Sequence, residues 1–126
     1  MPRPGKKEEI DFEIAFYEGV VKDSPDYVEA LIPLAEAYTR KGLIEKGLGI
    51  DKRLSRLCKK DPVVHYNLAC SLALAGKKKD AIKTLRRAID LGYLDFNHLK
   101  KDADLKSLQD DPEFQRLTDY FLKNKS

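Results

Sequence analysis

The chain has 126 residues and a mass of 14.4 kDa, room for one domain or a short array of repeats. Apolar residues make up 42% and charged residues 36%, enough apolar side chain for a core and too much for a wholly disordered chain. With 24 Lys+Arg against 21 Asp+Glu the formal charge is only +3, which does not mark a nucleic-acid binder.

Met1 to Glu9 reads as a loose tail with prolines and cations. It has no apolar stretch behind its basic residues, as a secretory signal would, and nowhere does an apolar run approach the roughly 20 residues of a membrane span. Cys58 and Cys70 cannot make a disulfide framework and suit a reducing cytoplasm, the expected location. From Ile10 to Lys22, Ile10, Ile14, Tyr17 and Val21 recur at helical spacing with Phe12, Phe16 and Val20 beside them. Ser24-Pro25 breaks this helix, and residues 10–25 form the first segment.

The helical pattern resumes from Asp26 to Lys41, with Leu31, Leu34, Ala35 and Tyr38 on one face and Gly42 at the stop. Pro33 lies inside it and predicts a kink or a late start, since proline removes one backbone hydrogen bond. A further helix from about Ile44 to Lys59 carries Leu48, Ile50, Leu54 and Leu57. After Asp61-Pro62 come Tyr66 to Ala75, a stop at Gly76, Lys79 to Leu91, and another stop at Gly92. Asp95 to Lys101 reads as a short helix. Asp102-Ala103-Asp104-Leu105 starts a turn with Leu105 and Leu108 inward. Asp111-Pro112-Glu113 is a helix-start signal for a final helix, Pro112 to Lys123, with Phe114, Leu117 and Phe121 on one face. Asn124 to Ser126 is expected to fray. Period-two alternation is absent, so the class is all-α.

Offsetting the sequence by 34 residues places Leu34 on Leu68, Ala35 on Ala69, Gly42 on Gly76, Arg53 on Arg87 and Leu57 on Leu91. The segment His65-Tyr66-Asn67-Leu68-Ala69, with Gly76 and Asp80-Ala81-Ile82 after it, resembles a tetratricopeptide repeat. Leu31, Leu34, Ala35, Tyr38, Gly42 and Gly47 match a preceding repeat in the same way. The resemblance implies a right-handed superhelix of antiparallel helix pairs, a TPR-like α-solenoid. It divides the chain into a tail (1–9), a half-repeat helix (10–25), two units (26–60 and 61–93), and a degenerate third unit with a closing helix (94–126). Asp51 departs from the pattern, standing where the family has a gap-filling aromatic.

The resemblance also implies a concave groove that binds a peptide or helix of a partner protein. Its lining would be Glu29, Ile32, Pro33, Glu36, Thr39 and Arg40 from one unit and Val63, Tyr66, Asn67, Cys70 and Leu74 from the next. Apolar anchors around Asn67, which donates and accepts, suit such a ligand. The alternative is a groove filled by the chain's own tail or closing helix. Asn67 holds one position of the family's carboxylate clamp, but Ile32 and Glu36 replace its other members, so that clamp is not expected.

Lys79, Lys83, Arg86 and Arg87 share a helix face, next to Lys77 and Lys78, and form the densest basic patch. It is a seat for an acidic protein or RNA, or a solvated outer surface; without interleaved aromatics the second reading is preferred and nucleic acid is disfavoured. Cys58, His65, Cys70 and His98 lack zinc-site spacing, so no metal is expected, and the cysteines read as packing residues. Gly47 and Gly49 are expected to serve close helix packing. No nucleophile–base arrangement or phosphate loop is visible, so neither catalysis nor a cofactor is expected. The function expected is a non-enzymatic protein-interaction module, with self-association into a homo-oligomer as the alternative.

Overall fold

The computed structural model describes residues 5–123, with side chains through residue 119. Among the described residues every regular element is helical. The order is α1 (Lys6–Asp23), α2 (Val28–Lys41), α3 (Ile44–Leu57), α4 (Pro62–Leu74), α5 (Lys78–Asp90), α6 (Phe96–Lys101), a 3-10 segment (Ala103–Leu108) and α7 (Pro112–Lys123). They divide into two compact units, the first ending at Lys59 and the second beginning at Lys60. Among the described residues no helix is long and apolar enough to cross a membrane.

In the first unit α2 packs against both α1 and α3. Ile10, Ile14, Tyr17 and Val21 of α1 meet Leu34, Ala37 and Tyr38 of α2, with Leu43 and Ile50 completing the cluster. Phe12 and Phe16 do not join them. They are 72% and 55% exposed, because two residues from Ile14 at 100° per residue leads to the opposite side of a helix. Polar pairs flank the α1–α2 seam: Tyr38 Oη donates to Glu18 at 2.5 Å, Arg40 meets Glu13 at 2.6 Å, and Lys41 pairs with Asp11. The numbers rise along α1 as they fall along α2, so the two helices are antiparallel.

Helix α1 starts four residues before the expected Ile10. The Gly5 N–H donates to Glu8 Oε2 at 3.1 Å, satisfying an amide at the helix start. Residues 6–9 of the expected tail are therefore helical, while its residues 1–4 lie outside the described residues. Helix α2 starts at Val28 and continues through Pro33 to Lys41. The late start expected from Pro33 does not occur: the proline falls in the second turn, and the bond it cannot make is to the carbonyl of Glu29, whose side chain is exposed.

Gly42 ends α2 in the left-handed region at φ +88°, and the N–H of Leu43 reaches back to the carbonyl of Tyr38 at 2.9 Å. The same closure recurs in the second unit, where Gly76 has φ +79° and Lys77 N–H reaches Leu72 O at 2.9 Å. Only glycine takes this conformation without strain. Gly47 allows close approach, since a Cβ there would lie 2.9 Å from Thr39 Oγ1 and 3.4 Å from Ala35 O. Gly49 faces open space, so close packing does not explain it.

In the second unit α4 begins at Pro62, four residues before the expected Tyr66. The Asp61 carboxylate accepts from Val63 N–H at 2.9 Å and Val64 N–H at 3.3 Å, and proline occupies the first turn, where its missing donor costs nothing. Helix α5 turns Ala81, Ile82, Leu85, Ala88 and Ile89 inward. The 3-10 segment packs on α4 and α5, and α7 packs on α5 and α6. Leu99, Leu105, Leu108 and Phe114 are among its most deeply buried side chains. Asp111 starts α7 as its sequence predicts, accepting from Glu113 N–H at 2.9 Å. The inward placement of Phe121 and the fraying of 124–126 lie outside the described side chains and residues.

Candidate functional site

Val63, Asn67, Cys70 and Leu74 recur at helical spacing along α4, with Tyr66 at the edge of this stripe. Their environments split it in two. Val63 (54%), Asn67 and Leu74 (37%) are exposed, whereas Tyr66 and Cys70 are buried. What covers Tyr66 and Cys70 is the chain's own continuation around Tyr93, His98 and Asp102.

Asp102 is the centre of that contact. Its Oδ2 accepts from Tyr66 Oη at 2.6 Å and faces Cys70 Sγ at 3.6 Å and His98 Nε2 at 3.2 Å. Its Oδ1 accepts from Asp104 N–H at 3.0 Å, capping the 3-10 segment. The Tyr66 ring lies flat on Tyr93, with centroids 4.1 Å apart and planes 3° from parallel. Burial is the main cause of a raised pKa for the Tyr66, Tyr93 and Cys70 acids, and the Asp102 charge pushes each in the same direction. The Asp104 carboxyl is raised above its ordinary value by burial first and Asp102 second, with His98 opposing.

This cluster has reactive residue types but a holding arrangement. A thiol nucleophile needs a lowered pKa or a base in direct hydrogen-bond contact. Cys70 is shifted the other way, and its sulfur and the His98 imidazole converge on one carboxylate oxygen instead of on each other. Ligand atoms of Cys70, Asp102 and Asp104 lie within 4.8 Å of one another, a juxtaposition that a search for Cys-x-x-Cys spacing could not find. Both Asp102 oxygens already accept hydrogen bonds there.

The groove residues expected from α2 lie in the first unit. Glu29, Glu36 and Arg40 are exposed, and Ile32 is 42% exposed. Arg40 is engaged by Glu13 and, at 3.7 Å, by Glu36, while half-buried Thr39 donates to Ala35 O at 3.1 Å. Pro33 is half-buried. Tyr66 and Cys70 are thus not open lining positions, because Asp102 and Tyr93 occupy them. Lys79, Lys83, Arg86 and Arg87 are all exposed on α5, where Arg86 approaches Glu113 at 3.7 Å. Half-buried Cys58 belongs to the first unit and buried Cys70 to the second.

Residues 57–125 match the family described as "A/B hydrolase-like, N-terminal domain", a span that includes α4 through the described part of α7 and more than half of the chain. The chain belongs to this family. No curated protein gives a significant match. The A/B hydrolase-like N-terminal family replaces the expected tetratricopeptide assignment, for which no match exists. The resemblance has a physical source. Glycine at a helix stop and small residues where helices touch are required of any antiparallel helix pair, and two of the five identities at the 34-residue offset, Ala35 with Ala69 and Gly42 with Gly76, fall on such positions.

Proposed function

We propose that the chain is a non-enzymatic binding module that receives a helix or extended peptide along the exposed face of α4. We further propose that the partner is a polypeptide of the α/β-hydrolase type. The observation that carries the reading is the pair Val63 and Leu74, exposed at either end of Asn67 on a helix whose other face is sealed. Apolar anchors with a two-way hydrogen-bonding amide between them match the way a groove takes up an amphipathic segment. The rigid seat for these residues comes from Asp102 and Tyr93, which hold α4 from the side. The partner class is supported by the family description, which names an N-terminal domain of hydrolase-like proteins. On this reading hydrolytic chemistry belongs to the partner.

A photo-crosslinking residue at position 67, in the full chain and its native host, tests the proposal. The expected adduct maps to a hydrolase-like domain. Val63→Asp and Leu74→Asp should each reduce it about tenfold or more, since losing one apolar anchor costs on the order of 1.4 kcal/mol. Circular dichroism checks that each variant is folded. An adduct of undiminished yield in both folded variants would refute the α4 face as the seat.

A further inference from the structure

The solvent face of α5 carries cations that the fold does not neutralise. Lys77, Lys78, Lys79, Lys83 and Arg87 are exposed and, among the described residues, make no ion pair. The first unit behaves differently, where Arg40 and Lys41 are both matched by carboxylates of α1. Lys79, Lys83 and Arg87 lie four residues apart, so their stems recur about every 6 Å along the axis. Like charges at this spacing repel one another within the helix. Buried Ala81, Ile82, Leu85, Ala88 and Ile89 fix the rotation of α5, so the ladder is held in place.

We propose that this ladder is a docking surface for an acidic helix whose carboxylates also recur every fourth residue. Such a helix lying along α5 has the same 6 Å repeat, and each carboxylate meets one cation. One observation favours it over a nucleic acid: no aromatic residue lies on α5 to stack a base. The surface is distinct from the α4 face and does not depend on it.

The test is fluorescence anisotropy with the full chain and a labelled alanine-based peptide carrying glutamate at every fourth position. A second peptide of identical composition has its glutamates contiguous. At low ionic strength the spaced peptide should bind at least about fivefold tighter than the contiguous one, and both should weaken toward physiological salt. The triple change Lys79→Glu, Lys83→Glu, Arg87→Glu should abolish binding, while the equal charge change Lys100→Glu, Lys101→Glu, Lys106→Glu should preserve it. If the first triple variant does not fold, glutamine at the same three positions should still lower affinity about tenfold or more. Equal loss in both triple sets, equal affinity for the two peptides, or displacement by a single-stranded RNA of equal charge would each overturn the proposal.

Discussion

Replacing Asp102 by alanine should cost the second unit about 3 kcal/mol. Its charge-assisted bond from Tyr66 at 2.6 Å accounts for about 1.5–3 kcal/mol, since the buried phenol loses its charged acceptor. Its bond from the Asp104 amide at 3.0 Å adds about 1 kcal/mol as a cap. The pair with His98, whose side chain is 57% exposed, adds about 0–1 kcal/mol. Relief of repulsion between Asp102 and Asp104 works in the opposite direction. Urea unfolding followed by circular dichroism measures the total, and amide exchange over residues 103–108 should show protection lost first in the 3-10 segment. Tyr66→Phe alone should cost less, about 1 kcal/mol, because Asp102 keeps its other donors. The double variant should reveal a coupling of about 1.5 kcal/mol. A loss under about 1 kcal/mol for Asp102→Ala, or strict additivity with Tyr66→Phe, would refute the view that this carboxylate holds the closing segment to α4.

Two glycines of α3 should respond in opposite directions. Gly47→Val should destabilise by about 2 kcal/mol, since even its Cβ would lie 2.9 Å from Thr39 Oγ1; Gly49→Ala, which enters open space, should stabilise by about 0.5–1 kcal/mol, both read from urea midpoints. Tyr38 supplies a pH test: burial first, and its bond to Glu18 second, push its phenol from 10.0 up to about 12. In that window the folded chain keeps a proton that the unfolded chain has lost, so stability should fall as pH rises from about 10 to about 12. Tyr38→Phe should make that decline shallower, and an unchanged slope across the two proteins would contradict it. Tyr66 and Tyr93 contribute with the same sign in the second unit.

Helix starts and stops were legible wherever one residue dictates local geometry. Gly42 and Gly76 terminate helices by occupying the left-handed region, and Asp111-Pro112 opens α7 as read. Boundaries slipped where a cap lay outside the apolar pattern: Glu8 advanced α1 and Asp61 advanced α4. The buried stripe on α1 is narrower than the apolar pattern of its sequence, because Phe12 and Phe16 follow the same spacing as Ile10 and Ile14 but from the other side. The Asp102 cluster was invisible for a different reason. Tyr66 and Asp102 are separated by 36 positions with no shared periodicity, so only tertiary packing brings them together. Asp102 was legible as the start of a turn; its bond to Tyr66 was not.

The two thiols stand in unlike surroundings, and that difference turns the protein into its own reporter. Cys58 is half-buried on one unit, whereas Cys70 lies beneath Asp102 on the other with its proton firmly retained. An alkylating dye should therefore modify Cys58 faster than Cys70, which it should reach only when the segment after α5 lifts away. The rate at which the second label is taken up measures that opening directly, without any engineered probe.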